Sequence, residues 1–192
     1  MKLQKLKQEW NTWFIYFLIY SMIGWIYEVL VCIIEFRIGF VNRGFLWGPY
    51  LPVYGFGGLL IILSMSGLKK KKVMIGKISV TPILCFVGIV VLTTAVELLT
   101  SYLMEIAIGQ WLWDYTEEPV HFQGRIALTT SLRFGVIGIC GLYGIQPLLE
   151  KILSFFKNKE EKIYNVITYI IFAFFMLDVV ARFFLGSNFI QQ

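Results

Sequence analysis

Charge is what this sequence has least of. Only 15% of its 192 residues are Asp, Glu, Lys or Arg, while 58% are hydrophobic, and the mean hydropathy is +0.73. A soluble domain of this size needs more polar surface, so the composition specifies an integral membrane protein. Histidine occurs once, as His121. Zinc sites usually draw on several His or Cys ligands, so no metal and no cofactor is expected. The three cysteines, Cys32, Cys85 and Cys140, lie in apolar segments without C-x-x-C spacing. That excludes a disulfide framework and reads as small buried hydrophobes. No G-x-x-x-x-G-K-[ST], G-x-S-x-G, H-E-x-x-H or dinucleotide fingerprint occurs, so the chain carries no Walker loop and none of these hydrolase signatures. No nucleic-acid module, internal repeat or linker is visible, and residues 1–192 read as a single integral membrane domain. The apolar run after the basic start carries Glu28 and lacks an A-x-A-like site, so it reads as a retained first span and not a cleaved signal.

What is present is a set of long apolar runs. A spanning helix needs about 20 apolar residues, and five segments qualify: 13–34, 48–68, 78–108, 126–149 and 163–185. The fold class is therefore an all-α polytopic transmembrane helical bundle of about five spans. Its basic residues sort by type. All twelve lysines fall before span 1, between spans 2 and 3, or between spans 4 and 5. The five arginines, Arg37, Arg43, Arg125, Arg133 and Arg182, fall on the other side or within spans. The positive-inside rule then puts the N-terminus in the cytoplasm and the C-terminus outside, in a multi-pass membrane protein. The lysine clusters read as topology signals and contacts to anionic membrane lipids.

An ionisable side chain within a span is costly and marks a functional-site candidate. Span 3 carries Glu97, Ser101 and Glu105 at i, i+4, i+8, and span 4 carries Arg125, Thr129 and Arg133 at the same spacing. Each set shares one helix face. The two spans run antiparallel, so Glu105 and Arg125 are both outermost, while Glu97 and Arg133 lie about 12 Å deeper. This predicts two layers of acid–arginine pairing. Span 1 adds Glu28 and Glu35, and span 5 adds Asp178 and Arg182. The inner layer then holds more acid than arginine, and the excess is available for a proton, a cation or a substrate amine. The outer loop "GQWLWDYTEEPVHFQGR" supplies Asp114 and several aromatics, a composition that suits an interfacial belt or a lid. Gly135, Gly138, Gly141 and Gly144 recur every third residue and predict close helix approach along a spiral.

The stretch "NRGFLWGPYLPVYGFGG", 42–58, holds five glycines and two prolines. Pro49 suits a first helical turn, where a missing N–H costs nothing. Gly55, Gly57 and Gly58 permit a neighbouring helix to come near. The reading is that Asn42, Arg43 and the start of span 2 form one wall of an outer polar site, facing Glu28, Glu97 and Arg125.

Four strings, "GWIYE" at 24–28, "NRGFLWGPYLPVYG" at 42–55, "WDY" at 113–115 and "GRI" at 124–126, resemble the bacterial family described as "Putative ABC-transporter type IV". His121 stands where the family pattern carries Asn, and Phe134 where it carries Trp. The resemblance implies a small polytopic membrane protein with a permease role, whose ATPase is a separate subunit. The residues leave three functions open. One is a permease-like transport component with an outward-facing polar site for a small or amphiphilic solute, lined by Glu28, Asn42, Arg43, Glu97, Glu105, Asp114, Arg125 and Arg133. Another is a membrane-embedded enzyme acting on lipid or envelope precursors, with carboxylates as acid or base and arginines clamping phosphate. The third is a structural or partner-binding bundle.

Overall fold

The computed structural model describes residues 2–42, 44, 46–109 and 113–185. Its helices are α1 (Lys2–Ile34), α2 (Pro52–Lys71), α3 (Thr81–Ile108), α4 (Leu128–Cys140), α5 (Gln146–Lys159) and α6 (Glu161–Leu185). A π-turn at Gly141–Ile145 joins α4 to α5 without a break. Among the described residues, five helices are long and apolar enough to cross a membrane, with the α4–α5 helix counted as one. The all-helical expectation and the five spans hold.

The ends of the spans differ from the apolar runs, each for a local reason. Helix α2 begins at Pro52, not near Gly48. Pro52 takes the first turn, where its missing N–H is harmless, and Pro49 stays in the preceding bend. Residues 78–79, expected in span 3, belong instead to a short hairpin of β1 (Met74–Ile75) and β2 (Ile78–Ser79). A second hairpin pairs β3 (His121–Phe122) with β4 (Ile126–Ala127) ahead of α4. The fourth span runs on to Lys159. Pro147 explains the π-turn inside it, because its ring would collide with the carbonyl four residues back and cannot donate there. Lys69 Nζ donates to the Leu142 carbonyl at 2.8 Å within that turn.

The chain divides into two compact units. One comprises the chain up to Leu59 together with the chain from Leu149. In it, α1 packs on α6 through rings: Trp10 and Phe14 stack at 5.5 Å, and Phe172 meets both edge-on. Asn11, almost fully buried, donates across the same seam to Asn165 Oδ1 at 2.7 Å. The start of α2 lies against α1 through glycine. A Cβ on Gly55 would come within 2.2 Å of Ser21 Oγ and 2.6 Å of the Phe17 carbonyl, whereas one on Gly57 would meet nothing within 4 Å. Gly57 is thus not part of the expected approach.

The other unit runs from Leu60 to Leu148. Cys85, Ile89 and Leu142 form its core, packed by Ile61, Met65, Leu68 and Ile139. Helix α4 approaches α3 through Gly135, against Phe86 and Val90, and through Gly138, against Ile89. Gly144 faces open space, so the last member of the glycine spiral makes no close approach. Cys32 and Cys85 are buried as expected, but Cys140 is exposed, since it lies off the α3-facing side of α4.

Candidate functional site

The polar groups of the second unit gather where the loop between α3 and α4 meets these two helices. Glu97, Ser101 and Glu105 do share one face of α3. Arg125 is not on the α4 helix, however. It precedes β4, and Ala127 before α4 is extended, at φ −131° and ψ 148°, so helical spacing does not carry back to it. Arg125 still reaches the predicted partner: Nη2 forms a salt bridge with Glu105 Oε2. Nη1 donates to Ser101 Oγ at 3.4 Å, and the guanidinium lies 4.1 Å from the centre of the Tyr102 ring. The Glu105–Arg125 pair therefore forms, reached from a hairpin.

The inner layer takes another form. Glu97 Oε1 accepts a hydrogen bond from the Tyr115 hydroxyl at 2.9 Å, and Oε2 is buried with no hydrogen-bond partner among the described residues. Arg133 lies on an exposed face of α4, so the expected pairing of Glu97 with Arg133 is replaced by a phenol from the loop. Beside Glu97 on α3, Thr94 Oγ1 donates to Ser131 Oγ of α4 at 2.8 Å.

The loop is held so that it can supply that phenol. The Tyr115 N–H donates to the Gly124 carbonyl at 2.8 Å, and Trp113 Nε1 donates to the Arg125 carbonyl at 2.8 Å. The β3–β4 turn has Gln123 at φ 54° and Gly124 at φ 68°. Gly124 is needed twice over, for its left-handed backbone and for space: a Cβ there would lie 2.8 Å from Asp114 Oδ1. Asp114 is exposed and accepts from the Thr116 N–H at 3.0 Å, a local turn contact. His121 Nδ1 accepts from the Gly124 N–H at 3.0 Å, which gives this histidine a turn-forming role. Glu118 Oε2 accepts from Thr129 Oγ1 of α4 at 2.8 Å.

The first unit carries its own polar groups. Asn42 Oδ1 accepts from Trp25 Nε1 at 2.9 Å and from the Gly44 N–H at 3.0 Å. Glu28 accepts from the Tyr54 hydroxyl. Asp178 of α6 holds the bend before α2, accepting from the Trp47 N–H at 3.2 Å, the Gly48 N–H at 2.9 Å and the Tyr50 hydroxyl. Burial first, and the bond to Asp178 second, push the Tyr50 phenol above its ordinary range. Arg43 lies outside the described residues.

Of the eight expected site residues, Glu97, Glu105 and Arg125 gather with Tyr115 in the second unit. Glu28 and Asn42 each have a partner in the first. Asp114 serves the loop's own turn, and Arg133 stands on an exposed face. Sequence reasoning missed the tyrosines. Each of the three acids Glu28, Glu97 and Asp178 receives a phenolic hydroxyl, from Tyr54, Tyr115 and Tyr50 respectively. The signal was in "WDY" and "PYLPVY", where tyrosine sits beside or in the first turn of spans.

The sequence profile of the family described as "Putative ABC-transporter type IV" matches residues 15–183. Comparison with curated proteins and with solved structures gives no match.

Proposed function

The chain belongs to the family described as "Putative ABC-transporter type IV", and on that premise we propose that it is a permease-like transport component of the cell membrane, working with a separate ATPase chain. Its solute site is the outward-facing polar cluster of Glu97, Tyr115, Glu105 and Arg125. The observation that carries this reading is the Glu97 carboxylate, set within a span, with one oxygen held by Tyr115 and the other buried without a hydrogen-bond partner among the described residues. A buried acceptor left unsatisfied is costly, and a ligand donor would relieve that cost. Glu105 already occupies Arg125, so the acceptor left for a ligand is the Glu97 carboxyl. A small or amphiphilic solute bearing an ammonium group fits it. The same pairing weighs against an enzyme acting on phosphorylated lipid, which would need Arg125 free to clamp phosphate.

Ligand binding stabilises the state that binds, by RT ln(1 + [L]/Kd), about 2.7 kcal/mol at a hundredfold excess over Kd. A thermal-shift screen of organic amines and matched carboxylates on the nanodisc-embedded protein tests the reading. Stabilisation by an amine that disappears in Glu97→Gln supports it. Stabilisation by anions alone, or equal shifts in both proteins, would sink it.

A further inference from the structure

The connection between α2 and α3 is a built element. Strands β1 and β2 pair Met74 with Ser79 and Ile75 with Ile78, around a tight turn with Gly76 at φ 61°. Its base is fastened: the Val73 N–H donates to Thr81 Oγ1 at 2.7 Å, and the Val80 N–H donates to the Val73 carbonyl at 3.0 Å. On this fixed hairpin the large apolar side chains point away from the protein. Ile75 is 70% and Ile78 71% exposed, and Met74 is also exposed. Ile75 and Ile78 are opposite each other across the ladder, so they form one apolar face at the tip.

A dense positive charge surrounds that face. Lys69, Lys70, Lys71, Lys72 and Lys77 flank it, and no acidic residue occurs between Glu35 and Glu97. Lys69 is engaged, donating to the Leu142 carbonyl and lying 4.9 Å from the centre of the Tyr143 ring. Lys70, Lys71, Lys72 and Lys77 are exposed. The lysines at the end of α2 fix the depth, because ammonium groups stop at the headgroups and do not enter hydrocarbon. From Lys72 to Gly76 an extended chain spans about 13 Å at the strand rise, more than the roughly 5–8 Å of one headgroup layer. The tip is therefore within reach of the leaflet from which its own helices emerge.

We propose that the β1–β2 hairpin is an anchor for anionic lipid, with Ile75 and Ile78 inserted at the interface and Lys70, Lys71, Lys72 and Lys77 on lipid phosphates. Charge complementarity selects this occupant. A basic segment beside a spanning helix gains affinity for an anionic leaflet with each lysine, roughly fivefold per residue, and the apolar tip adds burial that a purely basic loop lacks. An acidic partner protein is the competing occupant, and the experiment separates the two.

The full chain carrying Ile75→Cys, with Cys32, Cys85 and Cys140 replaced by alanine, is labelled with NBD in nanodiscs of phosphatidylcholine with or without phosphatidylglycerol. The expected result is blue-shifted emission, quenched by doxyl-labelled lipid, and stronger with phosphatidylglycerol. Emission typical of water, quenched by aqueous iodide and untouched by doxyl lipid, overturns the proposal. So does shielding that arises only when a soluble protein is added. A second measurement leaves the native cysteines in place. Native mass spectrometry of phosphatidylglycerol retained by the wild type is compared with K70Q/K71Q/K72Q/K77Q. A loss of at least tenfold in retained phosphatidylglycerol, with phosphatidylcholine unchanged, supports the anchor, and equal retention contradicts it.

Discussion

Removing the Arg125 guanidinium is the sharpest perturbation of the outer layer. Its side chain is only 7% exposed, while that of Glu105 is 43% exposed. The two ends of the pair are therefore unequal. Arg125→Gln deletes a charge-assisted hydrogen bond to Glu105, worth about 1.5–3 kcal/mol, and a stack on Tyr102, worth about 1 kcal/mol. Glu105 loses its partner but can rehydrate, which discounts the first figure toward the range of exposed pairs. The expected cost is about 2–4 kcal/mol. Glu105→Gln should cost less, about 1–2 kcal/mol, because the amide still accepts a bond and the Tyr102 stack remains. The double variant should then show a coupling of about 1–2 kcal/mol. Reversible unfolding in lipid bicelles measures all three. A loss below about 0.5 kcal/mol for Arg125→Gln, with no coupling, would refute the claim that this pair holds the β3–β4 hairpin onto α3.

Other expectations follow from the same geometry. Gly55→Ala should destabilise by about 1–3 kcal/mol, since its Cβ would meet Ser21 and the Phe17 backbone and force α1 and α2 apart. Gly57→Ala, on an open face, should be neutral or stabilising by up to about 1 kcal/mol; equal losses in bicelle unfolding would overturn the assigned seam. Tyr50 predicts a pH dependence. Its phenol is raised in the folded state, so the native form keeps its proton longer than the unfolded chain, whose tyrosines titrate near about 10. The stabilising difference is complete below that value and is lost as pH rises above it. The wild type should therefore fall toward the stability of Tyr50→Phe in alkaline unfolding titrations, and curves that stay parallel would remove Tyr50 from the account.

The five spans were legible because lipid imposes one demand on sequence, a long apolar run, and five runs met it. Their ends were not, because local chemistry sets them. Pro52 rather than Pro49 starts α2, residues 78–79 pair with 74–75 instead of joining α3, and Pro147 is absorbed by a π-turn. In the candidate site, the match of Glu105 with Arg125 was readable from depth alone, since Glu105 lies near the end of α3 and Arg125 shortly before the start of α4. The partner of Glu97 was not readable in that way. It comes from a loop whose path depends on Gly124 and on the Trp113 and Tyr115 bonds to the hairpin, and helical periodicity has no information about such a path. The aromatics of the loop between α3 and α4 read as an interfacial belt or a lid, whereas its Tyr115, like Tyr50 and Tyr54 elsewhere, donates to a carboxylate.

The central claim is that Glu97, with Tyr115, holds the cationic group of a solute. It is tested most directly by mass spectrometry of small molecules and lipids that copurify with the wild type, Glu97→Gln and Tyr115→Phe, each checked for intact folding. The account predicts one amine-bearing species that is enriched with the wild type, lost in Glu97→Gln and reduced in Tyr115→Phe. Identical copurifying species in all three proteins, or an anion whose retention follows Arg125 instead, would contradict it.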